Sequence, residues 1–200
     1  MPQSTPRASE RLPADALRAT LPLMPALHEL PHQDEHGTLR AVVEAPKGAR
    51  VKTKWDPELG AMVLGRVLPI GLAYPFDWGF IPGTRAEDGD PLDALILCED
   101  ASTWPGVVVP VRALGVLRIE QKGKKGRVRN DRLVTMPLEL TRWGQISQVR
   151  DLSPAMRDEA EKFCLDTTFF TPKEARSLGF AGPDAARRLV RDAVRAYEKR

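Results

Sequence analysis

Two cysteines in 200 residues, Cys98 and Cys164, lie far apart and lack metal-ligand spacing, which leaves no disulfide framework and no thiolate metal site to read. The simplest account is a reducing, cytoplasmic setting with two buried thiols. No run approaches the roughly 18 apolar residues of a membrane-spanning helix. The stretch LPLMPAL at 21–27 follows Arg7 and Arg11 but is short, holds two prolines and lacks a small-residue cleavage pattern, so it does not read as a secretory signal. The net charge is only +3, too little by itself to imply a nucleic-acid partner. There is no G-x-x-x-x-G-K-[ST] loop, no G-x-G-x-x-G after a strand, no Ser or Cys elbow with a plausible histidine partner and no internal repeat. Those absences remove a nucleotide-cradling loop and nucleophilic catalysis from consideration.

What is present is an ordinary globular composition, 42% hydrophobic and 28% charged, sufficient for one domain with its own core. Residues 1–37 carry prolines at 2, 6, 13, 22, 25 and 31 and read as a poorly structured arm with at most a short helix near Ala14 to Thr20. His28, His32 and His36 are spaced like metal ligands on a helix, but Pro31 and Gly37 argue against a helix there, and they read as solvated. From 38 onward the pattern is a single domain. LRAVVEA, VKTKW, AMVLGRVL, ALILC, VVVPVRALGVLRI and RLVTMPLEL are short β-type runs punctuated by Gly, Pro and Asp, which predicts an antiparallel sheet curled into a barrel. EQKGKKGRVRNDR reads as a hairpin with a Lys- and Gly-rich tip. The last third turns helical: SPAMRDEAEKFC opens with Ser153 and Pro154, TPKEARSLG repeats the device with Thr171, Glu174 and a stop at Gly179, and Ala186, Leu189, Val190, Ala193, Val194 and Tyr197 recur at helical spacing.

The stretch EDGDPLDAL holds Asp88, Asp90 and Asp93 within six positions. Asp, Gly and Pro are all turn formers, so a solvated turn is one reading. A hard-cation site is the other, because carboxylates this close raise each other's pKa unless a cation neutralises them. An EF-hand fails, since position 6 of such a loop must be glycine and here it is Asp93. The neighbourhood favours the metal. YPFDWGFIPGT supplies Tyr74, whose phenol could face a ligand, and Gly79, where something could approach closely; Glu44, Lys52 and Arg66 sit on apolar strands upstream. Carboxylates for Mg²⁺ and cations for phosphate are the two halves of a metal-assisted phosphoryl-transfer site.

DGDPLD, inside the longer order VVEAPKGARVK, GAMVLGRV, YPFDWGFIPGT and RALGVLRI, resembles the family I soluble inorganic pyrophosphatases from about Ala41 to the C-terminal helix. The resemblance implies an α+β, mainly β fold: an OB-like five-stranded β-barrel with flanking C-terminal helices, hydrolysing pyrophosphate to two phosphates with Mg²⁺. It implies Asp88, Asp93, Glu44 and Asn130 as metal ligands, Asp90 as the residue that orients or deprotonates the attacking water, and Lys52, Arg66, Tyr74 and Arg132 as phosphate contacts, Tyr74 being also a candidate catalytic group. It also implies a homo-oligomer, a hexamer in many bacterial members. The sequence departs from the family pattern where a glutamate becomes Lys54, a tyrosine becomes Trp78, acidic positions become Gln121, Lys122 and Asn130, and a Tyr-Lys pair becomes Thr167 and Thr168. Glu120 or Asp131 would supply a missing carboxylate if the longer hairpin shifts register. These departures raise two alternatives: a hydrolase of another phosphoanhydride such as a nucleoside polyphosphate, or a non-catalytic relative that binds RNA through the hairpin 118–132.

Overall fold

In the computed structural model, residues 26–98, 103–124, 126–139, 145–168 and 171–199 are described. The expected helix near Ala14 to Thr20 lies outside them. Among these residues nine strands and two α-helices follow in the order β1 (Leu39–Ala45), β2 (Val51–Asp56), β3 (Ala61–Val67), β4 (Asp77–Ile81), β5 (Leu92–Ile96), β6 (Val108–Gly123), β7 (Gly126–Arg129), β8 (Arg132–Pro137), α1 (Pro154–Asp166), β9 (Arg176–Ala181) and α2 (Pro183–Glu198). Strands pair in the order β1-β4-β5-β8-β6, and β6 returns to β1, so five strands form a closed ring. The expected α+β, mainly β architecture is therefore present, with one difference. The β5–β8 pair is parallel, Leu95 opposite Val134, where an all-antiparallel sheet was expected.

Closure pairs the ring strands on both sides except along the C-terminal part of β6, whose remaining edge β9 takes up. β4 and β8 are buried at every position, although β4 carries Asp77 and Gly79 and β8 carries Arg132 and Thr135. Inside, Leu95, Leu97, Leu114, Leu117, Val134 and Met136 form one cluster, each 1% exposed or less. At about 1.5–3 kcal/mol for each fully buried large aliphatic side chain, this cluster is the main source of stability. β1 and β4 run unusually close: a Cβ on Gly79 would sit 1.9 Å from the Val42 carbonyl oxygen. Gly79 thus serves a close approach of backbone to backbone, in place of the approach to a ligand that its neighbours suggested.

α1 begins as its sequence predicts, with the Ser153 hydroxyl accepting a hydrogen bond from the Met156 N–H at 3.2 Å and Pro154 in the first turn. Its Phe163 ring lies 5.0 Å from Tyr74 and 6.3 Å from Trp78, so α1 buttresses the aromatic wall under the site. α2 buries Ala186, Val190 and Ala193 against the outer face of the ring and leaves Arg187, Arg188, Arg191 and Arg195 exposed. TPKEARSLG is not a helix. Glu174 adopts φ +44 and Gly179 φ +74, and Arg176–Ala181 pairs with β6 as β9. A single cap signal on eight residues loses to an available strand edge, because short helices are marginal without tertiary support.

The described part of the segment before residue 38 is tied to the domain. Leu27–Glu29 forms one turn of 3-10 helix, the Gly83 N–H donates to the His28 carbonyl at 2.9 Å, and the Arg40 N–H donates to the His32 carbonyl at 2.9 Å.

Candidate active site

Three local structures bring the chemistry together. The first is the turn between β4 and β5. Leu92 N–H donates to the Thr84 hydroxyl at 3.0 Å, and that hydroxyl donates to the Ile81 carbonyl, which clamps the loop at both ends. Within it Ala86 N–H donates to the Asp90 carbonyl at 2.8 Å and Gly89 takes φ +97, a conformation that glycine adopts without strain. Asp88 and Asp90 project from this turn, and Asp93 follows on β5.

The second is β1. Its pairing with β4 shifts register between Val43 and Ala45, so Glu44 sits at a β-bulge. Bulges re-aim side chains. Here the bulged carboxylate, in a residue 7% exposed, meets the Lys52 ammonium at 2.8 Å. The third is the β2–β3 hairpin, a separate two-stranded sheet in which Lys52 lies opposite Arg66. Lys52 and Lys54, two residues apart, share one face of the strand. Together these elements enclose a cleft of about 560 Å³ that Glu44, Lys52, Arg66, Asp88, Asp90, Asp93, Asn130 and Arg132 all line. Eight of the nine residues expected at the site therefore converge. Tyr74 does not line it: its ring is buried behind the wall, 5.9 Å from the Trp78 ring, and burial raises its pKa against the pull of the nearby Arg66 and Lys52 charges.

Ion pairs run through the cleft. Asp93 is held between Arg132 at 3.2 Å and Lys52 at 3.9 Å, and Arg132 also stacks over Trp78 with its guanidinium carbon 5.1 Å from the ring centroid. Burial pushes the Glu44 carboxyl up to about 7, against the pull of Lys52. Burial works to lower the Lys52 pKa, but Asp93 and Glu44 more than offset it and the ammonium ends above its ordinary value. Asp88 is raised by desolvation from the cleft walls, then by Asp93 and Asp90. Asp88 and Asp90 have no cationic partner within ion-pair distance among the described residues.

The donor set sets a limit on metal. As the side chains stand, no three carboxylate, imidazole or thiolate groups among the described residues converge closely enough to cage an ion. The Asn130 side-chain oxygen already accepts from Arg132, and Gln121 is buried with its side-chain oxygen unpaired but does not line the cleft. Glu120 and Asp131 do not restore the missing charge. Glu120 is paired with Arg127 and Arg176, Asp131 with Arg129, and neither lines the cleft. The open carboxylates Asp88 and Asp90 fit a hard divalent ion of the kind that takes one or two carboxylates and completes its shell with water and substrate oxygen. A full acidic cage is absent among the described residues.

The basic hairpin is largely engaged within the protein. Arg118 donates to the Leu178 and Gly179 carbonyls, Lys122 pairs with Glu174 at 3.1 Å, Arg127 with Glu120 and Arg129 with Asp131. These four side chains are therefore committed within the protein, which does not favour the RNA-binding alternative. Three further cleft cations were not anticipated as site residues: Lys54, flagged only as a departure, Arg85, and Lys173. Arg85 stands three residues before Asp88 and was within reach of a sequence reading; Lys173 was hidden by the mistaken helix.

A closed ring of strands with a carboxylate-and-cation cleft at the β4–β5 turn defines a phosphoanhydride-handling enzyme fold, and comparison with known proteins agrees. Residues 41–198 match the family model described as inorganic pyrophosphatase, and the chain belongs to that family. It is 31% identical over 172 residues to the inorganic pyrophosphatase of a Synechocystis strain, covering 86% of this chain and 99% of that one. It is 43% identical over 126 residues to that of Thermus thermophilus, covering 61% and 67%. The crystal structure of the Thermus thermophilus inorganic pyrophosphatase superposes with a TM-score of 0.79 at 35% identity, covering 87% of this chain and 99% of that one. The Helicobacter pylori enzyme superposes at 0.77 and 29%, covering 85% and 99%.

Proposed function

We propose that the chain hydrolyses inorganic pyrophosphate to two phosphates in this cleft, with Mg²⁺ as its divalent cation. The observation that carries the reading is the opposition, within one cleft, of Asp88, Asp90 and Asp93 on the β4–β5 wall to Lys52 and Arg66 on the β2–β3 hairpin, with Arg132 between. Family membership brings the requirement for a divalent metal. Asp88 and Asp90 would hold it, with Asp93 and Glu44 flanking and Asn130 supplying at most a neutral oxygen. When bound, the ion screens the phosphates and acidifies water.

The protein's own residues do the rest. Lys52, Arg66 and Arg132 grip phosphate oxygens and take up the charge that collects on the leaving phosphate as the bridging P–O bond breaks. Asp90, exposed and without an ion-pair partner among the described residues, receives the proton of the attacking water on the carboxylate oxygen left free by the ion, and the leaving phosphate is protonated from solvent. Tyr74 acts from behind the wall by fixing Trp78, on which Arg132 rests. Leu64, Val67 and Ile70 are large apolar side chains 65%, 63% and 96% accessible on and just after β3, the kind of group that homo-oligomer contacts, up to a hexamer, would cover. A reducing cytoplasm suits Cys98 and Cys164, both buried and unbridged.

The test is phosphate release from pyrophosphate with Mg²⁺, native chain against Asp90→Asn. Loss of a positioned general base lowers kcat by about 10²–10⁴-fold. No release above blank with any divalent ion, or equal rates in the two proteins, would sink the reading; a nucleoside triphosphate in a parallel well separates the alternative anhydride.

A further inference from the structure

The cleft carries more fixed positive charge than its carboxylates can use. Six cationic side chains line it, Lys52, Lys54, Arg66, Arg85, Arg132 and Lys173, against the four carboxylates Glu44, Asp88, Asp90 and Asp93. Two of the cations are committed: Lys52 to Glu44 at 2.8 Å and Asp93 at 3.9 Å, and Arg132 to Asp93 at 3.2 Å. Lys54, Arg66, Arg85 and Lys173 form no ion pair among the described residues, and Asp88 and Asp90 are the only lining carboxylates left open there. The surplus in the open groups is therefore positive.

A second observation points the same way. The indole N–H of Trp78 and the Nε–H of Arg132 are buried donors without an acceptor, in lining residues each 6% exposed. Buried donors are nearly always satisfied, so this pair leaves the cleft wall short of acceptors and rich in donors. An anhydride of two phosphates offers acceptor oxygens and carries the charge that the open cations lack.

Building on the pyrophosphatase reading, we propose that this cleft binds diphosphate-type anions without a divalent cation, with Lys54, Arg66, Arg85 and Lys173 supplying the neutralisation. Lys54 is the deciding residue. It is exposed on the same face of β2 as Lys52, so its charge can be reversed without opening the core. Capture would then precede metal entry, and the ion at Asp88 and Asp90 would be needed for the chemical step alone.

The experiment is calorimetric titration with imidodiphosphate, a P–N–P analogue that resists hydrolysis, in excess EDTA and again with Mg²⁺. The native chain is expected to bind in EDTA, with affinity falling steeply as salt rises. Lys54→Glu should lose about tenfold of the metal-free affinity, one charge reversal near a polyanion being worth at least that. Lys54→Arg should keep it. Circular dichroism on each variant reports folding, and Mn²⁺ binding by spin resonance supplies a readout that folding alone would not move: Lys54→Glu should bind Mn²⁺ more tightly than the native chain. Binding that appears only with Mg²⁺, or metal-free binding unchanged by Lys54→Glu, overturns the proposal. Phosphate release on the same samples keeps the two readings apart, because metal-dependent binding with turnover leaves the pyrophosphatase reading standing while this inference falls.

Discussion

Arg132→Met removes the guanidinium that holds Asp93 at 3.2 Å and covers the Trp78 ring at 5.1 Å, in a pair whose side chains are 7% and 18% exposed. With an effective dielectric of about 20, the attraction at that separation is about 5 kcal/mol before desolvation is subtracted. Breaking a buried pair from one side costs about 3–5 kcal/mol, because the remaining charge is stranded. The low end applies here: Lys52 still sits 3.9 Å from Asp93, and a methionine stem refills part of the space. We expect about 3 kcal/mol of lost stability. Asp93→Asn alone should cost less, since Arg132 keeps the Asn130 carbonyl and side-chain oxygens as acceptors. The double variant should then be less destabilised than the sum of the singles by at least about 1 kcal/mol, the signature of directly coupled groups. Urea unfolding in EDTA, with equal m-values required across the four proteins, measures the cycle. Strict additivity would refute the coupling and with it the view that Arg132 sets the position of Asp93.

Two further perturbations follow from the same geometry. The Glu44 carboxyl is pushed up to about 7 from an ordinary 4.5, so the folded chain holds its proton more tightly than the unfolded one; its contribution to stability is full at low pH and is lost as pH rises across that interval. The stability of the native chain relative to Glu44→Gln should therefore decline between about pH 5 and pH 8, and a difference flat across that range in urea titrations would contradict the assignment. Gly79→Ala places a Cβ 1.9 Å from the Val42 carbonyl oxygen, a backbone atom that cannot swing aside, and should destabilise the ring by about 3 kcal/mol or more; a thermal midpoint equal to that of the native chain would show that β1 and β4 separate more easily than their contact suggests.

The strands that sequence reading located are those whose apolar runs are long and bounded by turn residues, and Leu39–Ala45 was placed to the residue. β4 was passed over because DWGFI is five residues with a glycine at its centre, and nothing local says that the glycine faces another backbone. β9 reads locally as a helix because capping residues are local signals, whereas the β6 edge that captures Arg176–Ala181 is supplied by Val116 to Glu120, far away in sequence order. The site divides along the same line. Asp88, Asp90 and Asp93 are legible because one turn carries all three, and a turn is a local object. The pairing of Glu44 with Lys52 is not, since it depends on a one-residue bulge in β1.

That division bears on how substitutions in this family are weighed. Counted along the sequence, Lys54, Gln121, Lys122 and Asn130 look like four losses from an acidic shell, though Lys122 pairs with Glu174 away from the cleft. In space they differ. Gln121 lies outside the cleft lining, Asn130 is bound to Arg132, and only Lys54 brings charge into the open cleft, where it stands with Arg66, Arg85 and Lys173. Measured against the glutamate that the family resemblance implies at this position, Lys54 changes the local charge by two, about what one divalent ion would contribute. On the metal-free binding proposed above, the cleft has moved part of its positive charge from exchangeable ions onto the chain, whereas on the alternative it has only lost metal ligands; the two part company in EDTA, where only the first retains an anion.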